Sequence, residues 1–385
     1  MEAVVRMRLS AAKSRSVKRI GIIGAGAAAA LHLTALRKID GVRVVAIRDI
    51  NTEKATALTV SFGLPPHIAD PSQFYEAEPQ SIHIATPPYA HEDLARDALD
   101  HGVHVLIEKP PSLTLGGCEA LLRLARARSL AVGVNENTAL DPLIRRGRAA
   151  IEAGSLGQVL HIDGFYTLGM RDGEQPPRWV EGLPGGMLED LLPHLLTTAR
   201  ALTGVRLTPE YWRLASTGAI AGQPYDELRL FLTGDEKLTV NLALSLSARP
   251  KAFVLTARGT RAMLAIDLRN MLLQLSRPDP RGGAIGVGAE LVRTAVGVLS
   301  QTTSNAAGLL GGYRQAHGSF LPLIRAHYAA LEAGTEIPAP LERAIETVAT
   351  IRAIWPLPRQ EEPANSPRDA VASRGSTPTP CSRTA

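Results

Sequence analysis

A glycine-rich turn between an apolar run and a helical stretch, within residues 19–39, limits the possible folds of this chain more than any other feature. The first glycine of such a turn permits a tight bend, the second lets the backbone approach a ligand, and a small third residue lets the helix pack on the strand. The N–H groups and dipole of the following helix attract anions. The turn therefore predicts a pyrophosphate site, with an Ala/Gly turn in an unrelated α/β sheet as the alternative. The candidate residues are Gly24, Gly26, Ala27, Ala28 and Ala29.

The same alternation of apolar runs and helical stretches continues to about residue 134. Units of this length predict a parallel sheet covered by helices, that is, a doubly wound α/β domain. The predicted strands are 19–23, 42–47, 81–85, 103–107 and 131–134, and the helices between them are 27–39, 52–62, 91–101 and 115–128.

Beyond about residue 150, strand-like runs follow one another closely, which predicts a second, mainly antiparallel sheet. These runs are 159–168, 226–232, 238–246, 253–258, 263–268 and 272–275, with helices at 186–202, 320–333 and 341–355. We therefore predict a disordered arm (1–17), a dinucleotide-binding domain (18–140), a substrate-binding and oligomerisation α/β domain (141–356) and a disordered tail rich in Pro, Ser, Thr and Arg (357–385).

Composition excludes several classes of protein. The chain has 385 residues, of which 45% are hydrophobic and 21% charged, as in globular proteins. Its net charge of +5 is spread along the sequence, so we expect no nucleic-acid partner, and an anionic substrate fits the charge equally well. No signal peptide or membrane span is expected. The most apolar segment, 286–312, is broken by four polar residues: Glu290, Arg293, Gln301 and Asn305.

Cysteine usage favours a reducing compartment. Cys118 lies in a predicted helix and Cys381 in the polar tail, so neither a disulfide framework nor metal-ligand spacing is present. We expect a cytoplasmic protein without a bound metal.

An acidic residue closes the second predicted strand. Asp49 is placed to accept hydrogen bonds from a ribose hydroxyl, which favours NAD because a 2′-phosphate would meet a carboxylate. Arg48 beside it leaves NADP possible, since its guanidinium can pair with that phosphate or lie over the adenine. A loop-capping role for Asp49 is the alternative.

Further motifs follow the glycine turn in a fixed order. A lysine that follows the fourth strand stands at the edge where ligands bind in open α/β sheets. The ordered motifs are Gly24-x-Gly26-x-x-Ala29-x-x-His32, Asp49, Thr86-Pro87-Pro88-Tyr89-Ala90-His91, Gly102 to Pro110 with its Glu108-Lys109-Pro110 ending, and Gly185-Gly186 followed by Asp190-x-x-x-His194. They cover roughly residues 18 to 200, and together they resemble the glucose–fructose oxidoreductase, inositol dehydrogenase and MocA family.

This resemblance implies a Rossmann domain followed by an α/β domain with a large, open, mainly antiparallel sheet. It also implies NAD or NADP and substrates that are usually sugars or cyclitols. By the same match, Lys109 is the catalytic lysine, Asp190 the acidic residue and His194 the acid/base histidine. The positions expected to line the cofactor are Ala85, Thr86, Pro87, His91, Glu108, Lys109 and Asn135.

The sequence departs from the family pattern at a few positions. Pro88 stands where Asn is common, Leu192 where a small Gly is common, and Thr138 and Ala139 where an Arg is usual. These departures leave the fold expectation intact, and they leave open an unusual substrate or a loss of activity.

The candidate catalytic residues suit alcohol oxidation. The pKa of an ordinary His lies near working pH, so His194 is the best proton acceptor. Asp190, four residues earlier, shares its helix face, and Lys109 can stabilise developing alkoxide charge. Because proline is tolerated in a first helical turn, Pro193 predicts a helix that starts near Glu189 or Asp190, or bends there. An N-cap Asp190 and a structural His194 are the alternatives.

Three further residues are weaker candidates for substrate contact. Arg171, Arg178 and Trp179 precede Gly185 and could clamp a carboxylate, a phosphate or a sugar face, although such loop residues are more often solvated. The buried-strand residues His83, His104 and His161 are expected to be structural.

The sequence thus predicts an NAD(P)-dependent oxidoreductase acting on a sugar, nucleotide sugar or cyclitol, with reduction of a C=N or conjugated C=C bond also open. The alternative hypothesis, from a different functional class, is a non-catalytic, dinucleotide-binding regulatory or assembly protein of the same fold. Because an open sheet face needs covering, we expect a homodimer or homotetramer through the C-terminal sheet.

Overall fold

The computed structural model describes residues 19–171, 173–235, 238–310 and 319–357. The predicted arm 1–17 and nearly all of the predicted tail 357–385 lie outside the described residues.

The first part of the chain forms a five-stranded parallel sheet with the order β2-β1-β3-β4-β5. The strands are β1 (Arg19–Ile23), β2 (Arg43–Arg48), β3 (Ser81–Ile84), β4 (His104–Ile107) and β5 (Val132–Val134). The helices are α1 (Ala27–Leu36), α2 (Thr52–Phe62), α3 (Pro71–Glu76), α4 (His91–Asp100) and α5 (Leu115–Ala127). The predicted doubly wound fold is therefore confirmed.

Side-chain caps start several of these helices where the sequence supplies a hydrogen-bond acceptor. Asn51 accepts from the Lys54 N–H at the start of α2, as expected. Asp70 and Thr114 do the same for α3 and α5. Such caps satisfy N–H groups that have no partner inside the helix and stabilise a helix by about 1 kcal/mol each.

The second part forms a seven-stranded sheet with the order β12-β11-β10-β6-β9-β8-β7. All neighbouring strands are antiparallel except β6 and β9, which pair in parallel. The strands are β6 (Val159–Thr167), β7 (Thr208–Ala215), β8 (Glu227–Thr233), β9 (Thr239–Ser245), β10 (Ala252–Gly259), β11 (Met263–Asp267) and β12 (Leu272–Ser276).

Two helices, α6 (Pro142–Glu152) and α7 (Gly186–Thr203), pack on one face of this sheet. Alternate residues of the central strands point to them: Leu228, Leu230 and Leu232 of β8 are at most 2% exposed. The opposite face carries Arg229 and Phe231 and is not covered by any described helix. The expected open, mainly antiparallel sheet is thus confirmed.

The last three helices are α8 (Gly283–Leu310), α9 (Phe320–Ala333) and α10 (Leu341–Ile354). α9 packs on α1, and α10 packs between α5 and α7. Leu323, Ile324 and Tyr328 of α9 join the core of the first sheet. The chain thus returns to the dinucleotide-binding domain after building the second sheet.

α8 differs from the other described helices because it is long, apolar and exposed. By length and composition alone, Gly283–Gly308 could cross a membrane, with a mean hydropathy of 1.3 and 6% of its window buried. That is weak evidence for a span. The four polar residues noted in this segment all lie in α8, and each makes a hydrogen bond to a residue that precedes the helix.

The structure corrects some expectations about local elements. α7 spans Gly186–Thr203, which confirms the helix predicted at 186–202, but it contains Pro193 in its interior, so the later start near Glu189 or Asp190 that this proline suggested is wrong. The helix tolerates this proline because buried leucines on both sides, Leu192 and Leu195, anchor it in the core. The elements α3, α6, β7 and α8 were not predicted from the sequence pattern.

Candidate active site

The glycine turn joins β1 to α1 as the spacing predicts. Gly24 has a φ of +108°, and a Cβ there would lie 2.4 Å from the carbonyl oxygen of Ala85, so only glycine fits. A Cβ on Gly26 would meet nothing within 4 Å, so the space above the turn is open. Ala29 is fully buried, which lets α1 pack closely. Ala27 and Ala28 form the first turn of α1, which has no side-chain cap.

Asp49 ends β2 beside this turn, as predicted. Its Oδ2 accepts the Ala25 N–H at 2.6 Å and its Oδ1 accepts the Asn51 N–H at 2.7 Å. Each carboxylate oxygen has two lone pairs, so both retain capacity for a hydroxyl donor. The Arg48 carbonyl accepts the Gly24 N–H at 2.8 Å, which joins β2 to the turn.

Lys109 and Asp190 meet although they are 81 residues apart in the chain. The Lys109 ammonium pairs with the Asp190 carboxylate and also donates to the Asp190 carbonyl oxygen at 2.8 Å. Their side chains are 12% and 13% exposed, so solvent screens this ion pair only in part. Pro193 has no N–H to donate to the Glu189 carbonyl, which lies one residue before the Asp190 carbonyl that Lys109 contacts. An ammonium has three donors, and these contacts use two of them.

His194 lies one helical turn after Asp190 on the same face of α7. Burial and the nearby Lys109 charge lower the pKa of His194 to about 4, although the Asp190 and Glu108 carboxylates oppose the shift. The imidazole is therefore neutral at working pH. No hydrogen bond from its ring is found among the described residues, which leaves a nitrogen able to accept a proton. The Tyr166 ring lies edge-on, 6.5 Å away between centroids.

Glu108 is held by a buried chain of hydrogen bonds. Its Oε1 accepts from His32 Nε2 at 3.0 Å and from Asn135 Nδ2 at 2.6 Å. His32 contacts His83 at 2.8 Å, and His83 contacts the Tyr328 hydroxyl at 2.6 Å. Burial opposes ionisation, but the His32 and Asn135 bonds outweigh it and lower the pKa of Glu108 to about 2. Because the carboxylate can only accept, His32 Nε2 donates to Glu108, His83 Nδ1 donates to His32, and the Tyr328 hydroxyl donates to His83.

The remaining predicted cofactor-lining residues separate into two groups. Thr86 and Pro87 follow β3, and the Thr86 hydroxyl is buried with no hydrogen-bond partner in the described part of the chain. Ala85 packs against Gly24. His91 instead braces two loops, since its ring nitrogens contact the carbonyls of Pro110 and Thr86 at 2.7 and 2.8 Å.

His91 is therefore better described as a structural residue than as a ligand contact, because it is 1% exposed and both ring nitrogens are already used. His83, His104 and His161 also have internal partners, as the sequence suggested.

The three weaker substrate candidates are not brought together. Arg171 lines an open cavity of about 1000 Å³ with Arg249 and Lys251. Arg178 and Trp179 begin a separate short 3₁₀ helix, Arg178–Gly182, and do not line this cavity.

Sequence reasoning missed the residues that hold α7 in place. Glu189 is 3% exposed, pairs with Arg352 of α10 and accepts the Gly185 N–H at 2.8 Å. A Cβ on Gly185 would lie 2.5 Å from the Trp355 ring, which explains this glycine. Thr138, one of the departures from the family pattern, donates to the His194 carbonyl at 3.3 Å. Arg352, Trp355 and Thr138 are distant from α7 in the sequence, so no local pattern could have found their contacts.

The donor set fits a dinucleotide better than a metal ion. Open space lies over Gly26, and the buried Thr86 hydroxyl and the Asn135 Oδ1 have no partner among the residues described. The described residues contain no group of three or more His, Cys, Asp or Glu side chains able to hold a metal.

Two family models match the chain. The model for an oxidoreductase family with an NAD-binding Rossmann fold matches residues 18–136. The GFO/IDH/MocA C-terminal domain matches residues 144–265. Together the two matches span more than half of the chain.

Curated relatives and solved structures agree with this. D-apiose dehydrogenase of Paraburkholderia graminis is 29% identical over 65% of this chain and 66% of the relative. Inositol 2-dehydrogenase of Rhizobium meliloti is 28% identical over 48% and 55%. The chain thus aligns with somewhat less than two thirds of these relatives.

Two solved structures share the fold at low sequence identity. An oxidoreductase from Agrobacterium radiobacter, solved with NAD⁺, L-tartaric acid and magnesium, has a TM-score of 0.71 at 18% identity and covers 88% of this chain and 95% of its own. An inositol dehydrogenase homolog from Azotobacter vinelandii, solved with NADH and myo-inositol, has a TM-score of 0.68 at 19% identity and covers 88% and 94%. From its two domain matches, the chain belongs to the GFO/IDH/MocA family of oxidoreductases.

Proposed function

We propose that this chain is an NAD(P)-dependent oxidoreductase that interconverts a secondary alcohol and a ketone on a carbohydrate-like substrate. The observation that carries the proposal is the placement of the Lys109 ammonium on Asp190, one helical turn from a neutral His194. Because β1, β3 and β4 are neighbours in a parallel sheet, Lys109 and the Gly24 turn stand at the same edge.

A nicotinamide dinucleotide, when bound, supplies the hydride acceptor or donor. Gly24, Gly26 and the first turn of α1 would hold its pyrophosphate, and Asp49 its ribose. Thr86, Pro87, Glu108 and Asn135 would line the nicotinamide end. Asp49 favours NAD, with NADP possible through Arg48.

The protein's own groups handle the proton. In alcohol oxidation, the free His194 nitrogen accepts the hydroxyl proton. The third N–H of Lys109 donates to the substrate oxygen and stabilises the developing alkoxide charge. Asp190 fixes Lys109 in that position through two contacts. In ketone reduction the same groups act in the opposite order.

The charge around Arg171 supports a polar or anionic substrate. Three cationic side chains, Arg171, Arg249 and Lys251, line one cavity together with a single carboxylate, Glu174. Lys251 immediately precedes β10, whose Phe253 ring stacks on Tyr166 with 4.5 Å between the ring centroids, and Tyr166 lies beside His194. The excess of positive charge suits a sugar acid, a sugar phosphate or a nucleotide sugar.

We also propose a homodimer or homotetramer assembled through the open sheet face, in the cytoplasm. A depression of about 440 Å³ on that face contains Phe165, Tyr211 and Phe231, with Tyr211 64% exposed. Such apolar surface is usually covered. The buried, free Cys118 is compatible with a reducing compartment.

The test is a comparison of turnover and binding in Lys109→Ala, with the exposed Lys54→Ala as matched control. Wild-type protein is screened with NAD⁺ and NADP⁺ against polyols, sugars, sugar acids and nucleotide sugars, and reduced cofactor is measured by absorbance. We expect Lys109→Ala to lose at least about 10²-fold in kcat while dinucleotide binding persists. Unchanged turnover in Lys109→Ala would contradict the proposed role. Binding without turnover on any substrate would favour the non-catalytic alternative.

A further inference from the structure

The polarity of α8 is inverted relative to a normal surface helix. Its amide side chains face the protein: Gln301 exchanges two hydrogen bonds with the Leu273 backbone of β12, and Asn305 donates to the carbonyls of Asn270 and Met271. Surface helices ordinarily bury the apolar face and expose the polar one.

The two charged residues of α8 are also tied to the loop that precedes it. Glu290 accepts the Asp279 N–H, and Arg293 donates to the Asp279 carboxylate at 2.8 Å. The four charged or amide residues of α8 are therefore all engaged by the protein itself, whereas hydroxyl residues such as Thr294, Ser300 and Thr302 are exposed. Apart from Arg293, whose side chain is 55% exposed at the flank of the helix, the outward face of α8 carries no charge.

Large aliphatic side chains occupy that outward face. Five of them are between 61% and 70% exposed and lie on or beside one face by helical spacing: Ile285, Leu291, Val292, Val296 and Leu299. An exposed apolar stripe of this length marks an interaction surface in a soluble protein.

The spacing along the stripe identifies a helix as its partner. Ile285, Val292 and Leu299 recur every seven residues, and the small residues Gly288 and Ala295 lie between them at the offset of a second heptad position. Such a seam alternates large knobs with shallow holes, so it is complementary to a second copy of itself. A lipid surface requires no such alternation, and helices that lie on lipid usually direct Lys or Arg to the headgroups.

The exposed area also matches a protein partner. Full burial of an aliphatic side chain removes on the order of 100 Å² from water, so five of them at this exposure supply roughly 300 Å² per copy. Since apolar atoms make up about 60% of an interface, the whole contact would bury about 500 Å² per copy. The two copies together would bury about 1,000 Å², which is the lower bound expected of a specific interface.

We infer that α8 pairs with α8 of a second copy of this chain across a two-fold axis near Val292. This contact is separate from the open sheet face and from the proposed reaction, since no proposed site residue lies on α8 or β12. The lack of charge on the stripe lets two chains of net charge +5 approach there without local repulsion.

Light scattering after size exclusion tests the pairing with two matched valines. Val292→Glu places a charge in the seam, and Val60→Glu places one on an equally exposed helix position of α2, 76% exposed. We expect Val292→Glu to halve the mass of the wild-type assembly and Val60→Glu to leave it unchanged. Circular dichroism and dinucleotide binding confirm that Val292→Glu is folded.

Oxidative crosslinking gives a second readout that needs no disruptive charge. With Cys381 replaced by Ser, Val292→Cys is expected to form a disulfide-linked dimer on non-reducing denaturing gels, because Val292 is the midpoint of the seam and lies near the two-fold axis, whereas Val60→Cys stays uncrosslinked. Tyr211→Glu on the open sheet separates the two interfaces, since its effect on mass should add to that of Val292→Glu.

The inference requires both the lower mass of Val292→Glu and the crosslinked dimer of Val292→Cys. A monomeric wild type, an unchanged mass in Val292→Glu, or no Val292→Cys dimer above the Val60→Cys background overturns it. A monomeric protein that sediments with phosphatidylglycerol vesicles would assign the stripe to lipid instead. None of these outcomes alters the Lys109→Ala comparison, so failure of the pairing and failure of the proposed reaction are distinguishable.

Discussion

Replacing His194 with Gln should remove a defined part of the acid sensitivity of this protein. The pKa of His194 is about 4 in the folded chain, against 6.5 for an ordinary histidine. Above both values the imidazole is neutral in the folded and unfolded states, and it contributes no pH dependence. As the pH falls through 6.5, the unfolded chain takes up a proton that the folded chain refuses, so the folded state loses stability.

The size of this loss follows from the shift in pKa. A shift of one pKa unit corresponds to about 1.4 kcal/mol. The lowering of the His194 pKa from 6.5 to about 4 therefore corresponds to about 3 kcal/mol of unfolding free energy, which is lost as the pH falls from 6.5 to 4. Other buried histidines add their own losses, but these cancel when wild type and His194→Gln are compared.

Urea unfolding at several pH values from 7.5 to 4 measures the difference. The decrease in unfolding free energy should be about 3 kcal/mol smaller in His194→Gln than in wild type. Thr138→Val, which removes a contact to the His194 carbonyl and leaves the imidazole, should show the full wild-type decrease. Equal decreases in wild type and His194→Gln would refute a buried, neutral imidazole at the site.

Two further substitutions test the buried polar contacts around the site. Tyr328→Phe removes the donor to His83 and should lower the unfolding free energy by about 1–3 kcal/mol in urea titrations, since a buried acceptor is left unsatisfied; no loss would argue against the hydrogen-bonded chain. Arg352→Met leaves the buried Glu189 carboxylate unpaired and should lower the unfolding free energy by about 3–5 kcal/mol at neutral pH. Arg123→Met, which breaks an exposed ion pair, should lower it by under about 1 kcal/mol. Equal losses in the two variants would contradict the argument from burial.

The first sheet could be predicted well because its signals are local. Apolar runs, the glycine turn and the Asn51 cap each constrain a few consecutive residues, and the helices between the strands indicate parallel pairing. The pair of Lys109 with Asp190 was expected only through the family resemblance. Its geometry depends on α7 crossing to the edge of the first sheet, which no spacing within either segment specifies.

Elements held by long-range contacts escaped prediction for the same reason. β7 shows little alternation because its residues are mostly half-exposed at the edge of the second sheet. Pro193 argued for a later start of α7, yet tertiary packing outweighed that local penalty. In α8, the sequence shows the four polar residues that interrupt the apolar segment, but it cannot show that each of them is engaged by a neighbouring part of the protein.

Binding of NADH to a Gly26 variant tests the central claim most directly. A Cβ at Gly26 or at Gly116 meets nothing within 4 Å, so leucine at either position should leave the fold intact. NADH fluorescence titrations should show binding to wild type and Gly116→Leu, and a loss of at least about 100-fold in affinity for Gly26→Leu, whose side chain would fill the space over the turn. Undiminished affinity in Gly26→Leu, or no binding to wild type, would contradict a dinucleotide lying across this turn.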